Sequence, residues 1–194
     1  MVPAYPKRDI AISRAAPRRI DTGIDVPTVL SRVPLLRHLG HEAIQTLGLT
    51  AHVHEYPDAR IIINQGDPGS SLFVVIAGLL EVAQCDASDR HGAVGRRVPG
   101  DVFGEISLLT GAPRIATVTT LTPVTLVEID KQHLQPIFDA NPEVIARLSE
   151  IIASRLLANR NAIDPLPGDQ EKIDSMGMAA FLRQRILQFF GLAA

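Results

Sequence analysis

The sequence predicts an α+β fold, an antiparallel β-barrel or sandwich with helices on both sides of it. Between His52 and Glu128, short β-branched runs alternate with turn residues: RIIINQGDPGSS, LFVVIAGLLEVAQ, GRRVPGDVF and RIATVTTLTPVTLVEID. Several such runs at short spacing indicate an all-β unit. On either side of it, apolar residues recur at three- and four-residue intervals, the period of a helix with one buried face. A chain of 194 residues with 46% hydrophobic and 21% charged residues suits one globular domain with extensions.

Taken in order, residues 1–27 carry Pro3, Pro6, Pro17 and Pro27 and read as a linker or the end of an upstream domain. From Pro27 to Leu49, apolar residues such as Leu30, Val33, Leu36, Ile44 and Leu47 predict two short helices interrupted around Pro34 and Gly40. Within the β region, Gly66, Gly69 and Gly78, with Asp67-Pro68, fall where hairpin reversals are needed, and Gly100-Asp101 marks another corner. After Asp130, Leu134, Ile137 and Phe138 mark a short amphipathic segment. Pro142 then opens a helix reaching about Arg160, with Ile145, Leu148, Ile152 and Leu156 on one face. A Pro/Gly/acid linker, IDPLPGDQEKIDS, leads to a last amphipathic helix with Met178, Phe181, Leu182, Ile186, Phe189 and Phe190 along one stripe. The expected division is 1–27 linker, 28–160 domain, 161–176 linker and 177–191 helix.

Bulk properties exclude several function classes. With 19 Lys+Arg against 21 Asp+Glu there is no global basic field, so nucleic acid is not an expected partner. Cys85 is the only cysteine, which precludes an intrachain disulfide, fits a reducing compartment, and reads as an inert edge residue. No apolar run approaches the roughly 20 residues needed to span a bilayer, so the chain is expected to be cytoplasmic. His52 and His54 share a strand face by spacing, but without a carboxylate or cysteine nearby no metal site is expected. No Ser/His/Asp or Cys/His arrangement stands out, and neither an enzyme nor a cofactor is expected.

The segment FGEISLLTGAPRIATV, Phe103 to Val118, places Glu105 and Arg114 in an otherwise small or apolar run. Buried ionic groups need a partner, either each other or a ligand. EISLLT is long enough for one or two helical turns, and a Gly at the approach to a helix N-terminus presents free amides to an anion. Arg114, returned by Gly111-Ala112-Pro113, offers a planar fork suited to phosphate oxygens, whereas Glu105 accepts and suits a sugar hydroxyl. The alternative is a structural Glu105–Arg114 pair capping a barrel end.

GDVFGEISLLTGAPRIATV resembles the phosphate-binding cassette of the cyclic nucleotide-binding domain family, and QGDPGSSLFVVIAGLLEV resembles that family's glycine-bracketed hairpin. The resemblance covers roughly Val29 to Arg160. It implies an eight-stranded antiparallel β-roll, jelly-roll-like, flanked by N-terminal helices and a C-terminal lid helix. It further implies that Glu105 binds the ribose 2′-hydroxyl and Arg114 the cyclic phosphate. Phe103, Gly104, Ile106, Ser107, Ile115 and Ala116 would complete the cradle, with Ile151, Ile152 and Arg155 as lid candidates. Ile115 stands where Thr or Ser is associated with cyclic GMP, which implies a cyclic AMP preference. Ser70 stands where family members often carry an acid that orients the arginine.

The termini carry a second resemblance. VPAYPKRDIAI is similar to the last strand of the cytoplasmic domain of small-conductance mechanosensitive channels, and RQRILQFFGL to the tail of bacterial channels that fuse a cyclic nucleotide-binding domain behind the pore. This implies the regulatory part of a channel at the inner face of the membrane, oligomeric through its pore domain and monomeric in isolation. A transcription factor of the catabolite-activator type shares the sensor. It is the less favoured expectation, because only 34 residues follow Arg160 and many of them are linker.

Overall fold

The computed structural model describes residues 23–85, 91–158 and 175–192. The expected linkers therefore lie outside the described residues except for 23–27 and 175–176, as do Arg160 and the channel-like stretch VPAYPKRDIAI.

Eight strands form as expected: β1 (His52–Tyr56), β2 (Ile61–Ile63), β3 (Ser71–Ala77), β4 (Leu80–Cys85), β5 (His91–Arg97), β6 (Val102–Phe103), β7 (Thr117–Thr120) and β8 (Val124–Asp130). They pair as two four-stranded antiparallel sheets, ordered β1-β8-β3-β6 and β2-β7-β4-β5. The two-residue alternation of side chains sorts the apolar residues into two cores. Phe73, Val75, Leu80, Val82, Val118 and Leu126 fill the space between the sheets. Their alternates Leu72, Val74, Val127 and Ile129 face the helices.

Those helices are α1 (Val26–Arg32), α2 (His41–Thr50), α3 (Glu105–Thr110), α4 (Lys131–Ala140), α5 (Glu143–Ala158) and α6 (Ser175–Phe190), with a 3-10 turn at Arg37–Leu39. Asp25 starts α1 by accepting the Thr28 amide at 3.3 Å, and the helix ends before the break at Pro34. Leu30, Ile44, Leu47, Leu134, Phe138, Ile145, Leu148 and Ile152 share one helical core.

The last helix, α6, belongs to that core through Leu182, Ile186 and Phe190. Leu187 is buried too, although the expected stripe omits it, because α6 packs on both α5 and α3 and so buries more than one face. Its C-terminal carbonyls are held by α4: Lys131 Nζ donates to the Phe189 carbonyl at 2.6 Å, and Gln135 Nε2 to the Phe190 carbonyl at 3.0 Å. A cation at a helix C-terminus satisfies both the orphan carbonyls and the dipole. Among the described residues no helix is long and apolar enough to cross a membrane.

Candidate functional site

The strand β6 ends at Phe103, and Gly104 turns the chain into α3 with φ +81°. That backbone is left-handed, and a Cβ there would lie 2.5 Å from Arg114 Nη1 and 3.1 Å from the Ser71 carbonyl, so glycine is required twice over. Beyond α3 the loop returns alongside the Asp67-Pro68 turn, where Arg114 N donates to the Asp67 carbonyl and Gly66 N to the Arg114 carbonyl, both at 2.8 Å. The GDPGSS turn is thus the brace that fixes where Arg114 enters the site.

Arg114 is only 6% exposed. Its Nη1 donates to the Ser71 carbonyl at 2.6 Å and the Gly104 carbonyl at 2.9 Å, and its Nη2 donates to Ser71 Oγ at 3.1 Å. These bonds commit three of the five guanidinium donors and leave two for an anion. Burial pushes the Arg114 pKa down, and the charges of Glu128, Glu105 and Asp67 push it back. Ser70 is exposed and its carbonyl accepts from Lys131 N at 2.9 Å. Orientation of the guanidinium has passed to the next residue, Ser71. Behind Ser71 stands Glu128, whose carboxylate meets His54 Nε2 at 2.8 Å. Burial raises the Glu128 pKa, but hydrogen bonds from His54 and Ser71 outweigh it and hold the group low.

Glu105 and Arg114 are not each other's partner. Glu105 Oε1 lies 3.6 Å from Arg155 Nη1 on α5. Burial raises the Glu105 pKa, opposed by Arg155 first and then by its own backbone amide, Arg97 and Arg114. Acid and base line one cavity of about 260 Å³.

Phe103, Gly104, Glu105, Ile106, Ser107, Arg114, Ile115 and Ala116 all line this cavity. Of the lid candidates, Ile152 and Arg155 line it and Ile151 does not; Ile151 packs against the helical core instead. Sequence reasoning missed Gln84, Arg97 and Leu156. Gln84 Nε2 donates to the Ile115 carbonyl at 3.0 Å, a link between β4 and the cassette loop that no local pattern signals. The expectation that the strand histidines lack a carboxylate needs correction: Glu128 is the register partner of His52, and Asp130 and His133 follow on the same chain.

The family described as "Cyclic nucleotide-binding domain" matches residues 53–141. A solved structure of the N-terminal domain of a transcriptional regulator from Streptomyces coelicolor A3(2) is 30% identical, with a TM-score of 0.57 over 71% of this chain and 99% of that one. The chain carries a cyclic nucleotide-binding domain. Among curated relatives, a CRP-like cAMP-activated global transcriptional regulator of Mycobacterium tuberculosis is 26% identical over 71% of this chain. A cAMP-dependent protein kinase regulatory subunit of Dictyostelium discoideum is 32% identical over 62% of this chain. The chain spans 62% of the first relative's length and 38% of the second's. These relatives are regulatory proteins by name, one of transcription and one of a kinase.

Proposed function

We propose that the chain senses cyclic AMP, with Arg114 on the cyclic phosphate and Glu105 on the ribose 2′-hydroxyl. The observation that carries this reading is the Arg114 guanidinium, buried and braced on three sides with two donors uncommitted, in one cavity with an unpaired-to-it acceptor at Glu105. An anion with an adjacent hydroxyl fits that division of donor and acceptor. Ile115 offers no hydroxyl to a guanine base, which supports cyclic AMP over cyclic GMP, as do the names of both curated relatives.

The output runs through the C-terminal helices. Arg155 ties α5 to Glu105, and α5 packs along α6, which in turn packs on the cassette helix α3. A ligand that takes over Glu105 changes the energy of α5's present position, which is the differential affinity a switch requires. The attachment of this sensor to a mechanosensitive-type channel rests on the two terminal stretches; transmembrane segments encoded upstream would support it.

Calorimetry with cyclic AMP and cyclic GMP, on the protein and on Arg114→Ala, tests the assignment. Removing one side of a buried charge pair costs roughly 2–5 kcal/mol, an affinity loss of about 30- to 5000-fold. Equal affinity in protein and variant would refute it.

A further inference from the structure

We propose that His52, Asp130 and His133 form a binding site for a divalent cation of the zinc class, separate from the nucleotide cavity. The three residues come from the start of β1, the end of β8 and the first turn of α4, and one ligand atom from each lies within 4.8 Å of the others. Around a tetrahedral ion with bonds of about 2.0–2.1 Å, ligand atoms sit about 3.4 Å apart, so small side-chain rotations close the set. The His52 and His133 rings are already neighbours, tilted at 54° with centroids 5.7 Å apart. All three residues are half-buried, which leaves a path for the ion and for water in the remaining coordination position.

Two imidazoles and one carboxylate suit zinc and its neighbours, whereas calcium and magnesium demand oxygen-rich shells. Glu128, across the β1–β8 ladder from His52 and held by His54 at 2.8 Å, adds a second carboxylate behind the first. Outer groups of this kind orient ligands and favour the cation. Loading has one cost. Asp130 N donates to His133 Nδ1 at 3.2 Å as part of the α4 capping box, and a neutral imidazole has one lone pair, so ligation by His133 replaces that long hydrogen bond. The Asp130 carboxylate accepts the His133 amide and still has lone pairs free. The site is accordingly of moderate affinity, and its effect is to staple β1 to the head of α4.

The test uses the full chain without a tag, stripped by chelator and titrated with zinc chloride. One equivalent is expected to bind, to raise the melting temperature, and to weaken by about tenfold or more in His52→Gln and in His133→Gln. Binding should be unchanged in His41→Gln, an exposed histidine on α2. Since His133 also caps α4, His52→Gln is the deciding variant if the other unfolds. Cobalt(II) should give a ligand-field spectrum without a thiolate charge-transfer band. Absence of saturable one-equivalent binding, indifference to His52→Gln, or a thiolate band placing the metal on Cys85 would each overturn the proposal.

Discussion

The most local test of the site does not touch a charged residue at all. Gly69 lies in the β2–β3 turn with its backbone pressed against the cassette arginine. A Cβ added there would fall on Arg114 Nε and Cζ, far inside van der Waals contact, and 2.8 Å from Cδ. In Gly69→Ala the guanidinium must withdraw by about 1 Å to recover ordinary separations. That shift cannot preserve the bonds to Ser71 O, Ser71 Oγ and Gly104 O, at 2.6, 3.1 and 2.9 Å. It also mis-aims the two donors left for the proposed phosphate. Charge-assisted hydrogen bonds contribute about 1.5–3 kcal/mol each, so a loss of about 2–4 kcal/mol, or about 30- to 1000-fold in affinity, is expected by calorimetry with cyclic AMP. Thermal unfolding should fall as well, because the same bonds hold Arg114 in the unliganded fold and a change of 1 kcal/mol shifts a domain of this size by roughly 2–4 °C. The double variant decides the cause: with Arg114→Ala already present, Gly69→Ala should cost almost nothing more. Wild-type affinity in the single variant, or a full additional loss in the double one, would refute the reasoning.

Two further outcomes follow from the helices and the pocket acid. Gly111, at φ +70°, ends α3 against Phe189 of α6, and a Cβ would sit 2.5 Å from the Phe189 ring. Gly111→Ala is expected to destabilise by about 2–3 kcal/mol, left-handed strain plus displaced packing, and a melting temperature within error of wild type would contradict the α3–α6 contact. The Glu105 carboxyl has its pKa raised in the fold, chiefly by burial. Its contribution to stability is complete below the unfolded pKa and is lost as pH rises through the folded one. Glu105→Gln, always neutral, should therefore gain stability relative to the protein as pH is raised from about 4 to 8; denaturant melts at a pH series would show parallel curves if the acid is not buried as described.

Much of this architecture was legible in the chain because its cues are local. Gly104 before EISLLT specified a turn into a short helix, Pro34 and Gly40 marked the interruption between α1 and α2, and the spacing from Ile145 to Ile152 laid out the buried face of α5. Arg114 and Glu105 were legible as candidate site residues because a charged pair inside an apolar run demands an explanation, and both line the cavity. What stayed hidden depends on distant residues meeting. Arg155 reaches Glu105 only because α5 returns to line the same cavity, and Ser71 replaces the turn residue Ser70 only through the direction β3 gives its side chain. The grouping of His52 with Asp130 and His133 requires the β1–β8 register, which no spacing within either segment states.

The two hydrophobic cores have a mechanical corollary. The core between the sheets is made of strand residues and the cassette's Ala116, whereas the other joins residues of α1 and α2 at one end of the domain to residues of α5 and α6 at the other. The barrel is therefore an anvil, and the helices around it share one gasket: α5 packs directly on α6 and on the 3-10 turn, and belongs to the same core as Leu30 and Leu47. On the proposed reading, a ligand that engages Glu105 acts through this shared core on α1 as well as on α6.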